Sequence, residues 1–188
     1  MSNVEGLYYP CLYETAVALS STRSPKEILR NLVDRVTRTI GAKGCSIIML
    51  SPNKTRMFHV TAYGLSNRHI KKGPILADKS ISEAIEGKVV AILKANEDER
   101  IHYREEAERE GIASILSVPM KLNDKIIGVI RVYTAEPREF TSDDIYFASA
   151  VASLAAIALK NARFYRSVQR NHKKLKQELL EITHLYNS

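Results

Sequence analysis

The sequence predicts an α+β fold, an antiparallel sheet with helices gathered on its faces and one long helix at the C-terminus. Three observations carry this. Residues 112–122 place apolar side chains at Leu116, Val118, Met120 and Leu122, the period of a half-buried strand. Asn123-Asp124-Lys125 is turn chemistry, and Ile126–Tyr133 is a second strand, β-branched nearly throughout. Pro137 breaks that strand, and Thr141-Ser142-Asp143-Asp144 then starts a helix. Thr141 is its N-cap, with two carboxylates in the positive first turn.

The earlier elements follow in order. Residues 7–20 contain a first helix, expected from Tyr13. Ser24-Pro25-Lys26-Glu27 is a capping box with proline at the first helical position. The second helix runs to Ile40, with Ile28, Leu29, Leu32, Val36 and Ile40 on one face, and Gly41 and Gly44 end it. Cys45–Leu50 and Arg56–Tyr63 are strands joined by the Pro52-Asn53-Lys54 turn. Residues 65–79 read as irregular and basic. Ser80-Ile81-Ser82-Glu83 reads as a second capping box, opening a short helix closed by Gly87. Val89–Leu93 is an apolar strand, and Glu97–Glu110 a charged helix supported by Arg104–Glu108 and Glu105–Arg109 pairs.

The chain's 188 residues suit one domain with a real core. A hydrophobic share of 45% with 26% charged residues is that of an ordinary water-soluble protein. No run approaches the ~20 apolar residues of a membrane span, and no secretory signal opens the chain. Cys11 and Cys45 have no metal or redox spacing, and Cys45 reads as a small buried hydrophobe. A cytoplasmic location is expected, without membrane contact.

The net charge of +7 is uneven. Residues 160–188 carry +5 and the other 159 only +2. A basic helix can attract nucleic acid, anionic lipid or an acidic partner, although a solvated helix face is the commoner meaning. No helix-turn-helix, zinc-finger or RNP-like signature accompanies it. Binding of nucleic acid is therefore only a third reading.

The last helix matters most for assembly. Continuous from Thr141 to Asn187 it would span roughly 70 Å, more than a domain of this size can cover. Its second half has a heptad register. Tyr165, His172, Leu179 and Tyr186 fall at a positions and Val168, Leu175 and Ile182 at d positions. The expectation is a domain over residues 1–165 and a coiled-coil extension over 166–188. A parallel homodimer would use this seam together with helices at 13–20 and 145–160. A helix folded back on its own domain is the alternative.

Catalytic signatures are missing. There is no His-Glu-x-x-His, serine elbow, P-loop or Rossmann glycine pattern, and the five histidines have no metal-ligand spacing. An enzyme is not expected, nor a cofactor.

Gly111-Ile112, Ser117-Val118-Pro119-Met120, Ile127-Gly128-Val129-Ile130 and Pro137-Arg138-Glu139-Phe140-Thr141 follow one another at a characteristic spacing. With Ala155-Ala156-Ile157-Ala158 and Asn161-Ala162-Arg163-Phe164-Tyr165, this order resembles the second half of a GAF domain, a small-ligand sensor and dimerisation module of signalling proteins. Ala62-Tyr63-Gly64-Leu65 is similar to the strand exit of the same family. The resemblance implies sheet order 2-1-5-4-3, with the first, second and last helices on one face. The short helices would cover the other face and enclose a pocket.

Residue by residue, the resemblance points to Ser46, Ile81, Ser82, Ile112, Ser117 and Arg131 as the pocket. Arg131, in mid-strand between Val129 and Tyr133, needs a partner or water, because an unpaired buried guanidinium costs several kcal/mol. With the helix that begins near Ser80 it would suit a small anion, unless a protein carboxylate pairs with it or Glu83 fills the helix N-terminus. Bilin-binding and methionine-sulfoxide-reducing relatives use pocket cysteines, and residues 46–188 contain none. Cyclic-nucleotide relatives carry Asn-Lys where Thr134-Ala135 stand; Phe140 and Asp144 match their pattern, and Ile145 replaces a Glu. Haem could enter only through a pocket histidine, His59 or His102. The expected function is a non-catalytic sensor of an unidentified small molecule, passing its signal through paired helices to a separate output protein. A constitutive dimer with an empty pocket is the runner-up.

Overall fold

The computed structural model of the chain describes residues 5–20, 24–51, 53, 56–71 and 79–186. Helices α1 (Glu5–Leu19) and α2 (Pro25–Ile40) precede strands β1 (Gly44–Leu50) and β2 (Met57–Tyr63). Short helices α3 (Asn67–Ile70) and α4 (Lys79–Ile85) lead to β3 (Val90–Ile92) and α5 (Arg104–Arg109). The hairpin β4 (Ser114–Leu122) and β5 (Lys125–Thr134) then enters α6 (Ser142–Tyr186). The sheet order is β2-β1-β5-β4-β3, with each neighbouring pair antiparallel, as the resemblance implied.

Local chemistry explains most boundaries. Ser24 accepts the Glu27 amide proton while the Glu27 carboxylate accepts that of Ser24, so the first capping box forms. Gly41, at φ +69°, closes α2 in the left-handed conformation that glycine adopts without strain. Asn123 and Asp124 both have positive φ, 47° and 62°, which lets a two-residue turn follow the twist of β4 and β5. The Thr141 hydroxyl accepts the Asp144 amide proton at 3.1 Å, capping α6 as expected.

Four expectations are corrected. Helix α1 begins at Glu5 and carries Pro10 inside it, because Tyr8 and Cys11 are buried against the rest of the domain and packing outweighs local propensity. The segment read as irregular contains α3, with Ser66 accepting from the His69 amide; residues 72–78 lie outside the described region. The charged helix is only α5. Upstream of it the Asp98 carboxylate accepts from the Arg100 amide and guanidinium, which closes a turn and lets Ala95 and Ile101 bury. Ser80 is not an N-cap. It lies within α4, fully buried, and Glu83 faces Arg100 at 3.8 Å.

The two faces of the sheet differ. Cys45, Ile47, Met49, Leu116, Val118, Met120, Ile130 and Val132 face α1, α2 and α6 in one continuous core. The alanines of α6, among them Ala148, Ala152 and Ala155, are small enough to bring that helix close to the strands. The other face is divided. Ile48, Val129, Ile81 and Ala84 form one cluster, and Ile92, Ile101, Ile112, Ile115 and Tyr133 belong to another.

Helix α6 is continuous, and at ~1.5 Å per residue its 45 residues are about 68 Å long. Ala162 is buried; beyond it the described side chains are exposed. One stretch within Ser142–Glu178 is long and apolar enough to pass for a membrane span, contrary to the sequence expectation, but half of it is buried within the domain. A core helix meets the same description.

Candidate functional site

A polar rung crosses the divided face. Ser46 of β1 pairs in register with Arg131 of β5, and Arg131 pairs with Ser117 of β4. Each alternates with residues of the helical core, so all three point away from it. This is the central strand position at which sequence reasoning placed Arg131.

Around the rung stand Ser80 and Tyr133, which sequence reasoning had set near Arg131, and His69, which it missed. Arg131 Nη2 donates to Ser80 Oγ at 3.0 Å. Its guanidinium carbon lies 5.6 Å from the centre of the Tyr133 ring, within cation–π range. Tyr133 Oη and Ser46 Oγ share a hydrogen bond of 3.0 Å. The His69 ring stands edge-on to Tyr133 at 5.8 Å. Ser117 Oγ is buried and has no hydrogen-bond partner among the described residues. Arg131 itself is only 2% exposed. Charge, ring and hydroxyls are thus held in a water-poor setting, where electrostatic interactions are strong. The signals in the sequence were the alternation of Arg131 and Tyr133 along β5 and the helix start near Ser80; His69 had none, since it reaches the site from a short helix in a segment read as irregular.

Of the other expected site residues, Ile81 and Ile112 belong to the apolar clusters that flank the rung. Ile81 packs with Ile48 and Val129, and Ile112 with the cluster that holds Tyr133. Ser82 follows Ile81 in α4 and is half-buried. His59 lies on β2, half-buried, and His102 is exposed, so neither takes the place that His69 has. Among the described residues no group of three His, Cys, Asp or Glu is placed to hold a metal.

Helix α3, which carries His69, is fastened from outside. Ser66 donates its amide and hydroxyl protons to the two Glu110 carboxylate oxygens at 2.7 and 2.5 Å. Burial pushes the Glu110 pKa up, but the Ser66 hydrogen bonds and neighbouring His69 and Lys43 outweigh it and leave the carboxyl below its ordinary value.

Both cysteines belong to the helical core, where burial pushes their thiols up. Asp144 is fully buried at the start of α6. Burial raises its pKa, yet hydrogen bonds from Tyr8 and the Thr141 amide, with the charge of Arg138, hold it below the usual carboxylate value. Arg138 grips Asp144 through Nη2 at 2.7 and 2.9 Å, so an arginine supplies the cation where the cyclic-nucleotide pattern has a lysine elsewhere.

Of the expected seam, Tyr165, Val168, His172 and Leu175 are exposed on α6. The side chains of Leu179 and Ile182 lie outside the described residues, as does that of Tyr186. Upstream of that seam, Tyr146 and Ile157, within the 145–160 stretch that sequence reasoning assigned to the interface, and Phe164 are exposed as well. On α1, Tyr9, Tyr13 and Val17 are exposed at four-residue spacing. Tyr9 and Leu12 meet Tyr146 and Ala150 around a surface cavity of about 480 Å³, so the two stripes adjoin.

A family model described as GAF domain matches residues 22–160. Among solved structures, the chain is similar to the GAF domain of a phosphoenolpyruvate-protein phosphotransferase from Coxiella burnetii. The TM-score is 0.77 at 17% identity, covering 88% of this chain and 99% of that one. The corresponding domain from Acinetobacter gives 0.70 at 21% identity, covering 87% and 96%. A free methionine-R-sulfoxide reductase from Neisseria meningitidis, solved with its substrate, gives 0.70 at 13% identity, covering 88% and 95%. No protein of curated function matches the chain significantly in sequence.

Proposed function

The chain belongs to the GAF domain family of sensory and regulatory modules, and we propose that it is a non-catalytic sensor of a small anionic molecule that signals through a homodimer. The observation that carries this is Arg131, buried in a central strand on a rung with Ser46 and Ser117. A guanidinium ringed by hydroxyls recognises carboxylates and other oxoanions. The buried Ser117 hydroxyl lacks a partner among the described residues, at some cost in stability, and in this reading it is free to bond the anion. The position of both thiols in the helical core supports a role without thiol chemistry.

The dimer reading rests on the adjoining exposed stripes of α1 and α6. In it, residues 1–165 form the sensory domain and 166–188 extend the dimer seam. Location in the cytoplasm and a separate output protein belong to the same reading. The second reading, a constitutive dimer with a closed pocket, is favoured by the apolar packing of Ile81 over Ile48 and Val129.

Thermal melting in the presence of acetate, nitrate, phosphate and small dicarboxylates tests the sensor. At least one anion raises the melting temperature, and Arg131→Ala removes that rise while the dimer persists. A response that survives Arg131→Ala rules out this site. Light scattering tests the dimer: the unmutated protein is dimeric at micromolar concentration and Leu175→Glu is monomeric. A monomeric unmutated protein ends the dimer reading.

A further inference from the structure

One residue touches both halves of the domain. The Arg138 amide donates to Ser114 Oγ at 2.8 Å, and the Ser114 hydroxyl donates to the Leu93 carbonyl at 2.6 Å. That end of β3 and β4 carries Ile92, Ile112 and Ile115, which pack in the cluster that holds Tyr133. The Arg138 side chain goes the other way. Nη1 donates to the carbonyl of Ile40, the last residue of α2, at 2.7 Å, and Nη2 grips Asp144. Asp144 in turn accepts from the Tyr8 hydroxyl at 2.5 Å, across 136 residues of sequence. Tyr8 also stacks on Phe147 at 4.3 Å with the rings 11° apart.

We propose that Arg138 couples the site face to the seating of α1, with Asp144 as the catch and Tyr8 as the bolt. The backbone of Arg138 follows the β3–β4 end of the site face. Its guanidinium neutralises Asp144, which is fully buried and could not stay there as an isolated carboxylate. A shift of the Leu93–Ser114 end that withdraws the guanidinium forces Asp144 to take up water. The Tyr8 hydrogen bond is then lost and α1 leaves α6. Other described polar links also bear on the seating of α1, among them the Arg35–Glu14 ion pair to α2, which is half-exposed and therefore weak, and the hydrogen bond between Cys11 and Thr39 of α2. Because α1 carries Tyr9, Tyr13 and Val17, its release removes one half of the exposed apolar surface. That last consequence rests on the dimer reading above; the latch does not.

Hydrogen exchange on the full chain decides the matter. In Arg138→Gln, amides of residues 5–19 exchange about tenfold faster or more, while β1 and β5 stay protected. Tyr8→Phe keeps the ring on Phe147 and loosens α1 in the same way, without changing exchange around Leu93 and Ser114. The double variant loosens α1 no further than the stronger single one, because both act on one path. Wild-type exchange of α1 in Arg138→Gln, or effects of the two variants that simply add, would overturn the latch. Should Arg138→Gln fail to fold, Arg138→Lys takes its place. Its ammonium lacks the fork that reaches Ile40 and Asp144 through separate nitrogens, and α1 is expected to loosen by a smaller factor; no change overturns the proposal. Sedimentation equilibrium on the same proteins reads the consequence. Dimer weakened in step with α1 exchange supports it, and a loosened α1 with an unchanged dimer refutes that half. A monomeric unmutated protein refutes the dimer reading alone, since the exchange data still judge the latch.

Discussion

Leu116 and Ser117 are neighbours in the same strand, both fully buried, and they face opposite worlds. Leu116 enters a continuous apolar core under three helices. Ser117 enters a rung of serines and an arginine, flanked by two separate apolar clusters. The helical face holds the fold together by burying area. The rung gives some of that up for polar groups whose value depends on what meets them. Arg131 lies in a central strand there, held by Ser80 and the Tyr133 ring.

The largest expected effect comes from the helical face. Leu116→Ala should lower the unfolding free energy by about 3 kcal/mol, because close-packed neighbours collapse only partly into the space left behind. Urea denaturation measures this, and a loss below about 1 kcal/mol would mean that the helical face is not the main stabilising one. Next is the start of α6. Asp144→Asn should cost about 2 kcal/mol through the weakened pairing with Arg138 and Tyr8. The acid response has a defined sign. The folded-state pKa of Asp144 is depressed, so its contribution is fully present above the unfolded value of ~3.9 and is lost as pH falls through the lower folded value. The gap in stability between the unmutated protein and Asp144→Asn should therefore shrink on going from neutral pH into that acidic range. A gap that stays constant down to the acid transition would show that Asp144 is not a charged partner in the folded state.

The smallest effect has the opposite sign. Ser117→Ala should raise stability by up to about 1 kcal/mol, since it removes a buried hydroxyl that lacks a partner among the described residues. It should also weaken any anion-dependent melting shift. If Ser117→Ala is as costly as Leu116→Ala, the contrast between the two faces is wrong.

Much of this was legible in one dimension. Periodicity and turn chemistry located all five strands, the capping box of α2, a turn at Asn123-Asp124-Lys125 and the Thr141 cap of α6, because each is a local rule acting over three to ten residues. Arg131 stood out for the same reason, as a charge where a buried strand has none. The misreadings share a cause. Ser80 looked like a cap because Ser-x-x-Glu is a capping pattern, but burial against Arg131 places it inside α4. Glu97–Glu110 looked helical by charge spacing, yet Asp98 and Arg100 close a turn on each other. Helix α1 starts eight residues before Tyr13 because of what Tyr8 finds in Asp144.

The sequence by itself determined the pattern of apolar positions, and through it the fold class and the face to which each strand residue points. That follows because a strand alternates with period two and a helix with 3.6, whatever surrounds them. Only the tertiary structure decided which polar residues meet. Arg131 with Ser80, His69 with Tyr133 and Tyr8 with Asp144 are separated by 51, 64 and 136 positions and come from elements of unlike period. No local rule relates such residues. Their contacts exist because burying the two faces of one sheet leaves each of these side chains a single place to go.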